Sequence, residues 1–359
     1  MHTSATKMPD AVRAALMSGV AIPAHPLALT SDRDLDVRRQ NALTRYYIDA
    51  GVGGLAVGVH TTQFAIREVG LFETVLRLAQ QAAQSWPSKG RVAPLAMIAG
   101  IIGKTEQAVR EADVAVDLGY HAGLLSLAAW RSASEDEIIM HCRTVAKRIP
   151  LFGFYLQPAV GGIALTANFW RRFAEIDNVV GIKIAPFNRY ATLDVLQGVA
   201  DAKAEKRVAL YTGNDDHITL DLLTPFVVRR GDETIVLRIR GGLLGHWSVW
   251  TKRAVELHAR CRAAAERQDV SADLLALDSK VTACNAAVFD TANHFHGVIA
   301  GCHEVLRRQG LMEGIWCLDP NEGLSPGQAK MIEQVCRNFP ELTDDDFVSA
   351  NRERWLNAT

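Results

Sequence analysis

Lysine 183 stands inside the apolar run Val179-Val180-Gly181-Ile182-Lys183-Ile184-Ala185. Fully buried lysines are rare unless paired, so a lysine in such a run asks for a chemical reason. Desolvation penalises the ammonium form and lowers its pKa. A neutral amine near pH 7 is a nucleophile that condenses with carbonyls to form a Schiff base. The protonated imine is then an electron sink for making or breaking the adjacent carbon–carbon bond. A plainer reading stands beside this one: Lys183 snorkels at a strand end, or pairs with a carboxylate such as Asp215.

About one repeat earlier lies Leu151-Phe152-Gly153-Phe154-Tyr155-Leu156. Side chains alternate along a strand, so Gly153 and Tyr155 share one face, as do Gly181 and Lys183. Consecutive strands of a parallel sheet are usually neighbours. Each places a glycine two residues before a large polar group, and an inward glycine leaves room for a substrate or a neighbour's side chain. On this reading Tyr155 passes protons in and out beside Lys183.

The elements that must position this pair follow a rhythm. Short apolar runs begin near Val20, Gly54, Ala93, Ala122, Leu151, Val179, Val208 and Thr234, very roughly 30 residues apart. Helical stretches lie between them. Leu35 to Ala50 stops at Gly51, Thr105 to Leu118 stops at Gly119, and Ser134-Glu135-Asp136-Glu137 opens a helix that runs to Arg148. Apolar strands alternating with helices imply a parallel sheet. Eight units predict an α/β fold, a (β/α)8 TIM barrel, over residues 20–250, after a lead-in over 1–19. A doubly wound open sheet is the rival, but no G-x-G-x-x-G follows the first strand. After about Thr251 the rhythm gives way to helical patterns at Lys252–Arg267, Leu274–Asp290, Val298–Gln309 and Ser325–Asn338. Residues 251–359 are therefore expected to form a C-terminal all-helical extension packed on the barrel.

The bulk numbers exclude little but do exclude something. The 359 residues carry a formal net charge of −1, which gives no support to a nucleic-acid or acidic-membrane partner. No apolar run approaches the roughly 20 residues that span a bilayer, and the N-terminus lacks a signal-peptide core. A cytoplasmic protein with six reduced cysteines is expected. Asn293-His294-Phe295-His296 and His303-Glu304 lack any standard metal-ligand spacing, so no metal is expected. A metal-dependent barrel using those histidines is nonetheless an alternative. The stretch Gly241-Gly242-Leu243-Leu244-Gly245-His246-Trp247 reads as a glycine-rich loop after the last strand. There Gly242 could approach a ligand, while Trp247 and Trp130 would make the pocket apolar.

The chain resembles the dihydrodipicolinate synthase / N-acetylneuraminate lyase family of class I aldolases. Asp49-Ala50-Gly51-Val52-Gly53-Gly54-Leu55 is similar to its "EAGVDGL", Tyr155-Leu156-Gln157-Pro158 to its "YNxP", Gly181-Ile182-Lys183 to its "GIK" and Gly213-Asn214-Asp215-Asp216 to its "SGDD". Gly310 to Ser325 is similar to its late "GL…P…LS" stretch. The resemblance implies a TIM barrel with a helical C-terminal domain and no metal or organic cofactor. It implies a 2-keto acid substrate, an imine at Lys183, a proton relay at Tyr155, and a homo-oligomer, tetramer or dimer. Where the family has "GTTGE", this chain has Gly58-Val59-His60-Thr61-Thr62. Without a gap, Val59 and His60 replace the two threonines that hold the keto-acid carboxylate; with an insertion, Thr61 and Thr62 restore them. Ala128-Ala129-Trp130 replaces "PPYY", and Val160 stands where the synthase has an arginine for its second substrate. The expected function is thus a Schiff-base lyase, an aldolase or hydratase/dehydratase acting on a pyruvate-like acid. The alternatives are a catalytically altered keto-acid binding homologue and a synthase-type condensation.

Overall fold

The computed structural model describes residues 6–87 and 94–358. The first five residues of the lead-in, and Ala93 at the start of the expected third strand, lie outside them. Strands β1 (Ala21–Pro23), β2 (Gly54–Val57), β3 (Ala96–Ile101), β4 (Ala122–Leu125), β5 (Leu151–Leu156), β6 (Val179–Ala185) and β7 (Ala209–Thr212) alternate with helices. A hairpin of β8 (Phe226–Arg230) and β9 (Glu233–Leu237) then precedes β10 (Gly241–Leu244). The sheet order is β1-β10-β7-β6-β5-β4-β3-β2, every pair parallel. A parallel bridge between Ala24 and Ala56 brings the two ends together, giving a TIM barrel.

The eighth barrel strand is therefore Gly241–Leu244, the stretch expected to be a loop, and not Thr234–Leu237. The reason is in the burial pattern. Barrel strands are covered on both faces, and β10 is buried throughout. β9 is mostly exposed and pairs antiparallel with β8 across Gly231-Asp232, a two-residue hairpin turn with Gly231 at φ 57°.

Ile22, Ala56, Ile98, Leu124, Phe152, Phe154, Ala209, Tyr211 and Leu243 pack together inside the ring. The helix Asp10–Ser18, unpredicted within the lead-in, plugs its N-terminal end with Val12 and Leu16. There Tyr211 Oη donates to Leu16 O at 2.9 Å and accepts from Val20 N at 3.2 Å. After the barrel come helices Thr251–Arg267, Ala272–Val288, Val298–Arg308 and Gln328–Asn338. The fourth starts at Gln328 and not at Ser325. A fifth, Asp345–Asn357, was not anticipated, although Asp344-Asp345-Asp346 followed by Phe347-Val348 and Trp355-Leu356 carries its signal. It docks on the helix Val37–Ala50, where Arg45 donates to the carbonyls of Trp355 and Ala358. Among the described residues no helix is long and apolar enough to cross a membrane.

Candidate active site

The C-terminal ends of β5, β6 and β7 open into a pocket of about 640 Å³ that also takes in Phe289, Phe295 and Val298 from the helical extension. Lys183 lies on its floor, 9% exposed. Gly213 makes that position possible: a Cβ there would stand 2.5 Å from Lys183 Cε. Burial lowers the lysine's pKa to about 8, against an opposing pull from the charge of Asp215. Asp215, on the loop after β7, lines the same pocket. Its Oδ1 accepts from His246 N–H at 3.0 Å. Burial raises its pKa to about 7, while the Lys183 charge and the His246 amide restrain the rise.

The loop carrying Asp215 is braced by a buried polar cluster. Thr212 Oγ1 donates to Asp221 Oδ2 at 2.6 Å and Asn214 Nδ2 donates to the same oxygen at 3.0 Å. Arg189 pairs with Asp221 Oδ1 at 2.5 Å. Asn214 Oδ1 accepts from Phe187 N–H at 3.0 Å, holding that residue at φ 50° with its ring on the pocket. Such backbone persists only where surrounding contacts fix it.

The structure separates the expected pair. The ladder between β5 and β6 shifts by one residue at Leu151/Phe152, which sets Phe154, not Tyr155, opposite Lys183. Lys183 Nζ sits 4.5 Å from the centre of the Phe154 ring. Tyr155 faces the surrounding helices, 5.1 Å from Trp170 between ring centres. Its hydroxyl donates to Leu165 O at 3.3 Å and accepts from Leu165 N at 3.2 Å. Gly153 is outward too, giving way to Phe173, whereas inward Gly181 makes room for Phe152. A glycine thus marks close packing on either face of a barrel strand, and its presence does not report which face is inside.

The loop after β2 divides as well. Val59, His60 and Thr61 line the pocket. Gly58 and Thr62 lie behind it: Thr62 Oγ1 accepts the N–H groups of Gly58 (3.0 Å) and Val59 (3.2 Å) and donates to His25 O at 2.6 Å. That hydroxyl, and those two amides, are committed to shaping the loop. Burial, with the nearby Lys183 charge, pushes His60 down to a pKa of about 4, so its imidazole is neutral. Gly242 is part of β10 and packs against Trp247 and Leu244, away from the pocket. Trp247 and Trp130 are not lining residues either. The pocket is apolar through Phe154, Phe187, Phe289 and Phe295, of which the last two come from the helical extension. Only tertiary packing brings those two in, and no sequence signal marks them. Asp215 carried a signal, its resemblance to "SGDD". Val160 lines the pocket too.

Among the described residues no three His, Cys, Asp or Glu side chains gather as metal ligands. His294 and His296 are exposed, and buried His303 has Nδ1 4.0 Å from Cys317 Sγ.

The model of the dihydrodipicolinate synthetase family matches residues 18–225. The chain belongs to that family. It is 27% identical over 212 residues to a 4-hydroxy-tetrahydrodipicolinate synthase of Cyanothece sp. (strain PCC 7425), a match that covers 57% of this chain and 66% of that enzyme. It is 22% identical over 327 residues to N-acetylneuraminate lyase 2 of Escherichia coli O6:H1, covering 90% and 94%. Two solved structures share the fold. One is the Acinetobacter baumannii dihydrodipicolinate synthase complexed with pyruvate (TM-score 0.72, 19% identity, 89% and 98% covered). The other is CdNal from Clostridium difficile with mannosamine (TM-score 0.70, 15% identity, 89% and 99% covered). This family of class I aldolase-type lyases and synthases is thus represented here by a divergent chain. It has a buried lysine on β6, and Phe154 lines the pocket in place of the expected Tyr155, with Val59, His60 and Thr61 beside it.

Proposed function

We propose that this chain is a Schiff-base-forming lyase for a 2-keto acid, with Lys183 as nucleophile and Asp215 as the group that moves protons. The observation that carries the reading is a buried amine and a buried carboxyl lining one apolar pocket at the C-terminal end of the barrel, where such barrels hold their active sites. With a pKa of about 8, roughly a tenth of the lysine is neutral at pH 7. The neutral amine attacks C2 of the acid. Protonated Asp215 supplies the proton with which the carbinolamine hydroxyl leaves as water. The resulting protonated imine accepts the electron pair of the bond that breaks at C3, and the Asp215 carboxylate receives the proton released. His60, Thr61 and Gln157 are the polar groups available to the acid's carboxylate.

The experiment is reductive trapping. Borohydride with pyruvate, or with another member of a panel of 2-keto acids, adds the corresponding mass at Lys183. No adduct with any member would sink the proposal.

A second reading, binding without turnover, is favoured by one observation: Phe154, which cannot carry a proton, is the residue opposite Lys183. Exchange of the C3 protons of pyruvate in deuterated water decides between the two, since a silent binder exchanges none above background. A synthase-type condensation with a second acidic substrate has less support. Lys183 is the one cationic side chain among the described lining residues, and imine formation uses it. The assembly implied by the resemblance, a homotetramer or dimer, is tested by analytical ultracentrifugation.

A further inference from the structure

The pocket combines a few polar side chains with an apolar majority. Its polar side chains, Lys183, Asp215, His60, Thr61 and Gln157, come from barrel strands and the loops that follow them. The other side chains that line it are rings and aliphatic groups. Phe187 from the barrel and Phe295 from the helical extension meet edge to face, 5.9 Å between centres at 80°. Phe289 joins them, with its ring against the backbone of Gly245. Both residues of the edge-to-face pair hold positive φ, 50° and 66°, a conformation bulky side chains adopt only when constrained. Both are half-buried and both line the pocket.

This lining selects among substrate arms. A polyhydroxylated arm would bury hydroxyls against rings that offer no partner, and each unpaired hydroxyl costs binding. A second carboxylate would find no cation among the described lining residues beyond the lysine consumed in the imine. An aromatic or bulky apolar arm meets neither penalty and can stack edge to face with the phenylalanines. We infer that the substrate is a 2-keto acid whose arm beyond C3 is aromatic or bulky and apolar, seated between Phe187, Phe289 and Phe295. The inference deepens the Schiff-base reading and rests on it for the keto acid. The arm's chemistry is argued from the pocket walls alone.

The test uses probes without a keto group, so that it does not depend on imine chemistry. Calorimetric titration of the full-length protein with 4-phenylbutanoate, glutarate and gluconate compares aromatic, anionic and hydroxylated arms on one carboxylate. The expected result is that 4-phenylbutanoate binds at least about tenfold more tightly than either other acid. Its binding carries a negative heat-capacity change, and Phe295→Ala weakens it about tenfold. Phe187→Leu, which keeps the bulk but removes the ring, is the companion variant should Phe295→Ala fold poorly, and a several-fold loss is expected there. Glutarate or gluconate binding as tightly as 4-phenylbutanoate, or no binding of 4-phenylbutanoate, overturns the inference. The Schiff-base reading stands or falls separately, on borohydride trapping at Lys183.

Discussion

Phe154 and Lys183 are register partners on adjacent strands, and the ammonium sits 4.5 Å above the ring. The contact gives the charged form of Lys183 a weak cation–π partner in a site that otherwise opposes charge. It also means that no tyrosine hydroxyl lies where the strand pattern led one to expect it.

Exchanging the two aromatic roles tests this directly. Tyr155→Phe is expected to leave trapping and turnover within about twofold. It should destabilise the fold by about 1–3 kcal/mol, because the N–H and C=O of Leu165 lose their shared buried partner. Denaturant melts with parallel kinetics measure both. Phe154→Tyr is expected to raise the rate of C3 proton exchange by giving the imine a second relay. A large loss of rate in Tyr155→Phe would show that the outward tyrosine matters to the chemistry after all.

Asp215→Asn should split two properties that usually fall together. The Asp215 charge raises the lysine's pKa, so removing it leaves desolvation unopposed, and the pH midpoint of reductive trapping moves below about 8. Proton exchange at C3 should meanwhile fall by about 10²–10⁴-fold, the usual worth of a general acid–base group. A midpoint that moves upward, or exchange that is unchanged, contradicts the assigned role.

The same pair makes stability depend on pH in a definite sense. The Asp215 carboxyl is raised from 3.8 to about 7 in the folded chain. Between those values the folded state binds the extra proton, so its stability falls as pH climbs through that window. Lys183 is lowered from 10.5 to about 8, so the unfolded state binds the extra proton above pH 8 and stability recovers towards pH 10.5. Thermal melts should show the wild type losing more stability between pH 4 and 7 than Asp215→Asn does. Equal losses would exclude the carboxyl as the source.

Two loop positions should act through geometry. Gly213→Ala places a methyl group 2.5 Å from Lys183 Cε and 2.7 Å from Ala185 Cβ. It is expected to cost about 1–3 kcal/mol by overpacking and to slow trapping by displacing the amine. Thr62→Val removes the acceptor shared by the Gly58 and Val59 amides. A loss of about 1–3 kcal/mol is expected, with weaker 2-keto acid binding as Val59 and His60 lose their fixed loop. Wild-type stability in Thr62→Val would mean that water replaces the hydroxyl without cost.

The repeating units were legible because each buried strand and each capped helix writes its own local pattern. Asp36 accepts from Arg39 N–H at the start of one helix, Ser134 and Glu137 close a capping box at another, and Gly51 ends the first at φ 96°. The hairpin was misread because an apolar stretch such as Thr234–Leu237 satisfies the strand pattern equally well on a surface ribbon. Only the alternating exposure of its partner Phe226–Arg230 reveals the difference.

The sequence by itself determined that a parallel barrel would form and that a lysine would lie within its sixth strand. Both follow from side-chain chemistry repeated at short range. Which neighbour that lysine meets was decided by tertiary structure. One extra residue in β6, between the partners of Leu151 and Phe152, shifts the pairing by one and sets a phenyl ring instead of a phenol beside the amine. The pocket's outer wall was decided the same way, by helices more than 100 residues downstream of Lys183 folding back to place Phe289 and Phe295 over it. Strand register and long-range docking are collective properties of the packed chain, so no local run of residues records them.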